Sequence, residues 1–210
     1  MFKKIAMGCA ILLVNSTVVF ADSLVPYLGA DLGLDYGRWQ VKDVTTATRT
    51  SSASGTFGNL FLGVAWSPNE SFYVGLEGFG SISSTHSSHT QINTSTIPAT
   101  INIRMRDSYG VSVLPGFKFS QASLFYLRFG FVRSLFNFHQ TIVPVGSSSN
   151  LHRTIASGGQ IGIGLQTGIS TNWAVRGEYD YNSYRNFTVF GNKVTPHDNQ
   201  FKVGLLYTIC

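Results

Sequence analysis

The chain reads as an all-β protein, an eight-stranded antiparallel transmembrane β-barrel, and three observations predict it. Eight segments alternate apolar and small or polar residues with a period of two. Tight and long connections between them alternate strictly. Only 12% of the 210 residues are charged, against roughly 25% in an ordinary soluble domain, while 43% are hydrophobic, 13% are aromatic and 22 are glycine. That composition is too apolar for disorder, and the glycines lack a collagen period.

Residues 1–21 read as an export signal. Lys3 and Lys4 precede an apolar stretch, and Val19-Phe20-Ala21 places small residues near a cut after Ala21. Residues 22–210 then form the barrel domain. Without the two lysines the charge falls from +5 to +3, which gives no reason to expect nucleic acid as a partner. Cys9 leaves with the signal and Cys210 is last, so no intrachain disulfide is expected. No other stretch supplies the roughly 20 apolar residues of a membrane helix, and a closed barrel is the other structure that satisfies every backbone group in lipid.

The first segment sets Leu28, Ala30, Leu32, Leu34 and Tyr36 against Gly29, Asp31, Gly33, Asp35 and Gly37. That second face is too small and acidic for a solvated exterior, and it suits a packed polar lumen. The second segment opposes Leu60, Leu62, Val64 and Trp66 to Asn59, Phe61, Gly63 and Ala65. The third opposes Phe72, Val74, Leu76 and Ile82 to Tyr73, Gly75, Glu77 and Ser81. The fourth sets Tyr109, Val111, Val113, Phe117 and Phe119 against Gly110, Ser112, Gly116 and Lys118. In the fifth, Phe125, Leu127, Phe129, Phe131 and Leu135 oppose Tyr126, Arg128, Gly130, Ser134 and Phe136, with Arg133 as the outlier. The sixth has Ile161, Ile163, Leu165 and Ile169 against Gln160, Gly162, Gly164, Gln166 and Gly168. The seventh has Trp173, Val175, Tyr179 and Tyr181 against Arg176, Glu178, Asp180 and Asn182. The eighth has Phe201, Val203, Leu205, Tyr207 and Ile209 against Lys202, Gly204 and Thr208.

Residues 67–71, 120–123 and 170–172 are short enough for periplasmic turns, whereas 40–56, 83–103, 140–157 and 183–199 predict four long extracellular loops. Six aromatics, Trp66, Phe72, Phe119, Phe125, Trp173 and Tyr207, fall on the outer face at the tight-turn ends, as a membrane-interface girdle requires.

The inward face carries Asp31, Asp35, Glu77, Glu178 and Asp180 against Lys118, Arg128, Arg176 and Lys202. Near balance predicts a paired network, because charges in a low-dielectric lumen need partners. The network acts as a plug or as the selectivity element of a narrow channel, and Gly162, Gly164 and Gly168 leave room for water beside one wall. Arg133 either reaches outer-leaflet lipopolysaccharide phosphates or is turned inward by a β-bulge.

These segments resemble the OmpA-type eight-stranded outer-membrane barrels, and especially the opacity-type surface antigens of Gram-negative bacteria. The resemblance rests on Tyr27-Leu28-Gly29-Ala30-Asp31-Leu32-Gly33, Phe72-Tyr73-Val74-Gly75-Leu76-Glu77-Gly78, Val113-Leu114-Pro115-Gly116-Phe117, Tyr126-Leu127-Arg128-Phe129-Gly130 and Val175-Arg176-Gly177-Glu178-Tyr179. It implies an outer-membrane location with lipid and lipopolysaccharide as surroundings, and a surface role such as adhesion to a host ligand or membrane integrity. The last strand is similar to the C-terminal signal read by the barrel-assembly machinery, through Lys202, Gly204, Tyr207 and Ile209, although Ile209-Cys210 replaces the usual terminal aromatic.

No catalysis, cofactor or metal is expected. His86, His89, His139, His152 and His197 fall in or beside the long loops without a nucleophile arrangement. Residues 83–103 hold ten Ser or Thr and no Asp, Glu, Lys or Arg, the composition of a hydrated surface segment. Tyr184, Phe187, Phe190 and Trp39 are the candidate partner contacts on the loops. A narrow channel for small solutes and a soluble lipocalin-like binding barrel are the alternatives.

Overall fold

The computed structural model of the protein describes residues 24–42, 48–87, 90–94, 97–142, 150–189 and 192–209. The expected export segment, His89, Phe190 and Cys210 lie outside the described residues.

Eight long strands form the wall: β1 (Leu24–Lys42), β2 (Thr48–Trp66), β3 (Phe72–Ser83), β6 (Ile97–Lys118), β7 (Ser123–Ile142), β8 (Asn150–Gly168), β9 (Trp173–Tyr184) and β11 (Asn192–Thr208). Three short strands, β4 (His86–Ser87), β5 (Thr90–Thr94) and β10 (Phe187–Val189), extend it at one rim. Every pairing is antiparallel between neighbours, and β1 pairs with both β2 and β11, as in Ala30 opposite Leu60 and Leu205. Among the described residues, closure pairs each of the eight wall strands on both sides, as a sheet in lipid requires.

The alternation runs apolar-out. Leu62 is 71% exposed, Ile163 50% and Val203 63%, while Asp35, Glu77, Arg128 and Asp180 are at 0%. A lipocalin-like barrel would place those apolar residues inside, so that alternative is overturned. Asn69 and Ser120 shape the tight turns, each accepting backbone N–H bonds from residues two or three further on.

The four expected long loops are largely strand. β1 and β2 stay paired up to Lys42 opposite Thr48, β6 and β7 to Ala99 opposite Ile142, and β7 and β8 to Gln140 opposite Asn150. Hairpins therefore carry the wall well beyond the apolar band. The serine- and threonine-rich stretch joins the sheet too, with Ala53 opposite Ser87, His86 opposite Arg104 and Thr90 opposite Ile101.

Beyond the band the lumen turns apolar, because large apolar side chains now face inward. Trp39, Ala53, Ile103, Met105, Val132, Phe136, Phe138, Ala156, Tyr184 and Val194 form a buried cluster inside the upper barrel, with Phe79 and Phe187 packed against it. Phe136 meets Trp39 and Tyr184 edge-on at 6.2 and 5.5 Å. Trp39, Tyr184 and Phe187, expected as loop contacts, are thus interior.

β6 accommodates the change with a β-bulge. Met105 faces Phe136 but Ser108 faces Ser134, so Arg106 and Asp107 together oppose Leu135, and both are exposed. β7 is regular through Arg133, which is exposed on the outer face between Tyr109 and Ser157. The inward-turned reading of Arg133 is overturned; the bulge lies on the neighbouring strand.

Candidate functional site: the lumen and its rims

The inward positions of β1 read Tyr27, Asp31, Asp35 and Trp39 with a glycine between each, and this order repeats around the wall as layers. Near the tight turns Tyr27, Phe61, Ala174 and Leu206 pack together, beside Tyr73, Leu114, Leu124 and Tyr126. The charged layer follows, and the aromatic cluster closes the top.

The charges form one connected chain across the lumen. Arg176 grips Asp31 with two guanidinium nitrogens, Nε to Oδ1 at 3.0 Å and Nη2 to Oδ2 at 2.8 Å, and its Nη1 donates to Glu77 Oε2 at 2.7 Å. Arg128 Nη2 donates to Glu77 Oε1 at 2.7 Å, and its Nε lies 2.7 Å from Glu178 Oε1. Lys202 Nζ ends the chain between Glu178 Oε1 at 2.5 Å and Asp180 Oδ2 at 2.7 Å. Tyr126 donates to Glu178, and the Arg176 guanidinium stacks 3.5 Å over the Phe61 ring. Seven of the nine expected lumen residues are brought together. Their partners come from β1, β3, β7, β9 and β11, so the chain ties opposite walls and fixes their register.

The other two stand apart. Lys118 is half-buried at the tight-turn mouth, lining an open cavity of 560 Å³ with Tyr73 and Gln166. Asp35 sits above the network, accepting from Thr85 Oγ1 at 2.9 Å. Asp198, which falls within an expected loop, is buried on β11 and accepts from Asn182 Nδ2 at 3.0 Å.

The expected near balance does not hold. Among the described residues the buried set is six carboxyls, Asp31, Asp35, Glu77, Glu178, Asp180 and Asp198, against Arg128, Arg176 and Lys202. The two acids without a cation lean on neutral donors, Asp35 on Thr85 and Asp198 on Asn182, while Asn59 Nδ2 at 2.8 Å and Gln160 Nε2 at 3.3 Å add to the cations already on Asp31 and Asp180. Satisfying a buried carboxylate with amide and hydroxyl donors limits the penalty of leaving it without a cation.

Two of the three glycines expected to leave room for water, Gly162 and Gly164, leave none. A Cβ at Gly164 would collide with the Tyr126 ring, and one at Gly162 with the Asp180 carboxyl. Each glycine is the recess into which a long neighbour folds. The third, Gly168, at the tight-turn end, keeps open surroundings, with its nearest atom 3.6 Å away.

A model of the family described as outer membrane protein beta-barrel domain matches residues 7–208. The chain belongs to that family. Its place is the bacterial outer membrane, with the exposed apolar band against acyl chains.

Among solved structures, the outer membrane protease OmpT from Escherichia coli is 10% identical with a TM-score of 0.52, over 87% of this chain and 97% of that one. Neisserial surface protein A is 16% identical with a TM-score of 0.46, over 87% and 96%. The attachment invasion locus protein Ail of Yersinia pestis is 16% identical with a TM-score of 0.42, over 86% and 98%. At 10% identity the likeness to OmpT speaks to the fold alone. No match to the chain is found among curated proteins.

In this outer-membrane barrel Trp66, Phe72, Phe119, Phe125 and Trp173 are exposed at the tight-turn ends, and half-buried Tyr207 packs on Trp173 at 5.0 Å. Of the expected assembly residues, Lys202 and Gly204 face the lumen while Tyr207 and Ile209 face outward. His86 is exposed with Nδ1 at 3.1 Å from the Ser84 carbonyl, and His197 stacks on Tyr181. The side chains of His139 and His152 lie outside the described set. Among the described residues no group of three or more His, Cys, Asp or Glu is placed to hold a metal ion.

Proposed function

We propose that the protein is a non-catalytic surface protein whose barrel presents extracellular hairpins for adhesion or host interaction and supports membrane integrity. The observation that carries this reading is the filled lumen. Arg128, Glu77 and Asp180 are out of reach of solvent, and the aromatic cluster above them caps the bore. An eight-stranded barrel is only wide enough for such filling, which leaves the wall as a rigid support for its hairpins. Residues 1–21 direct export, the Lys202, Gly204, Tyr207 and Ile209 pattern is read by the assembly machinery, and the six tight-turn aromatics anchor the inner interface.

Replacing residues 43–47 and 143–149, which link β1 to β2 and β7 to β8 in the sequence, with short glycine-rich segments tests presentation. Binding to host cells should fall while heat-modifiable gel mobility persists. Unchanged binding after each of the four connections at that rim is exchanged in turn would reject adhesion. Steady single-channel steps from refolded protein in a planar bilayer would instead favour the narrow channel.

A further inference from the structure

Four exposed arginines crowd one sector of the outer wall: Arg104 and Arg106 on β6, Arg133 on β7 and Arg153 on β8. The register fixes their spacing. Arg104 and Arg153 flank Asn137 in one lateral row, with His86 beside Arg104. Arg133 lies four residues below Asn137 on the same strand, between Tyr109 and Ser157, and Arg106 falls between the two rows at the bulge. Strands about 4.8 Å apart and residues at about 3.3 Å rise put all four guanidinium groups within reach of one headgroup.

The bulge creates this sector. In an unbroken β6 the phase of Tyr109 and Val111 would continue, so Ile103 and Met105 would face out and Arg104 and Arg106 in. One extra residue reverses this, sending the two apolar side chains into the aromatic cluster and the two arginines to the surface. Among the described residues every ion pair lies in the lumen, so these arginines have no carboxylate partner; exposed Asp107 is the single acid in the sector.

We propose that this sector binds the phosphorylated headgroup of an outer-leaflet glycolipid. Guanidinium forks match phosphate oxygens in pairs. The height selects a lipid, because Tyr109 flanks Arg133 and Val111, Phe131 and Ile161 form the exposed apolar surface beneath. So does Ile155, 56% exposed between the two arginine rows, where an acyl chain or sugar face gains contact that a soluble polyanion would forfeit. The site depends on the membrane orientation and not on adhesion, so it stands or falls separately from presentation.

The test uses full-length refolded protein in detergent with purified lipopolysaccharide, bound lipid being read by native mass spectrometry. The variant R104Q/R133Q/R153Q should lose about tenfold or more in retained lipid, with heat-modifiable mobility unchanged. Lipopolysaccharide stripped of its phosphates should bind the unaltered protein as weakly as the intact lipid binds the variant. If the triple variant misfolds, R133Q and R153Q singly are the readout, each expected to lose about threefold. Equal retention by the folded variants overturns the site. So does an equal loss in the distant set R38Q/R185Q/K193Q, complete displacement by inorganic phosphate, or preference for a soluble sulfated polysaccharide.

Discussion

Glu77 is the residue on which the lumen turns. It receives both buried arginines, one on each carboxylate oxygen at 2.7 Å, and stands at 0% exposure. Removing one partner of such a group leaves the other charges uncompensated in a dry interior, so Glu77→Gln should destabilise the barrel by about 3–5 kcal/mol. Urea unfolding in lipid vesicles measures it; a loss under about 1 kcal/mol would mean that water reaches the network. Seven of its members were legible because charges alternate in phase with glycines on strands whose other face is apolar. Asp198 was not, because His197 and Asn199 around it give no apolar phase. The glycines misled for a related reason: a gap in one strand says nothing about which neighbour fills it, and Tyr126 and Asp180 fill Gly164 and Gly162.

At the scale of the element, β6 and β7 solve the same problem in two ways. The apolar face must point to lipid within the membrane and to the lumen beyond it. In β7 the sequence itself changes phase, from Phe125, Leu127, Phe129 and Phe131 outward to Phe136 and Phe138 inward. In β6 Ile103 and Met105 above the bulge and Tyr109, Val111 and Val113 below it all keep odd numbers, and the backbone changes phase instead, at Arg106 and Asp107. Deleting Asp107 should therefore leave both faces in register and the barrel folded. Deleting Val132, within a stretch of β7 that has no spare residue, flips the faces against each other and should abolish heat-modifiable mobility. Comparable failure of both deletions would refute the bulge. Hydrophobic alternation could not reveal it, since odd-numbered apolar residues look identical whether they meet acyl chains or a core.

For the whole molecule the deciding property is which side of the wall meets lipid. An arginine at Ile163, within the apolar band, should cost about 2–4 kcal/mol in vesicles, whereas Ser54→Arg, on the outer face above the band, should be near neutral. Equal effects would place both positions in water. The hairpins that rise beyond the band were misread as loops for want of a membrane above the rim. Once lipid ends, a strand no longer needs a greasy exterior, and serine- and threonine-rich residues can pair in the sheet while looking like a solvated segment.

The amino-acid sequence by itself determined the strand number, the closed topology and the apolar-out orientation, because a two-residue period and a rhythm of tight and long connections are local properties. Only the tertiary structure decided which charges pair, which side chain fills each glycine recess, and where the aromatic cluster closes the bore. Those outcomes depend on strands far apart in sequence meeting across the lumen, as Asp31 meets Arg176 and Glu77 meets Arg128, and no local pattern encodes that meeting.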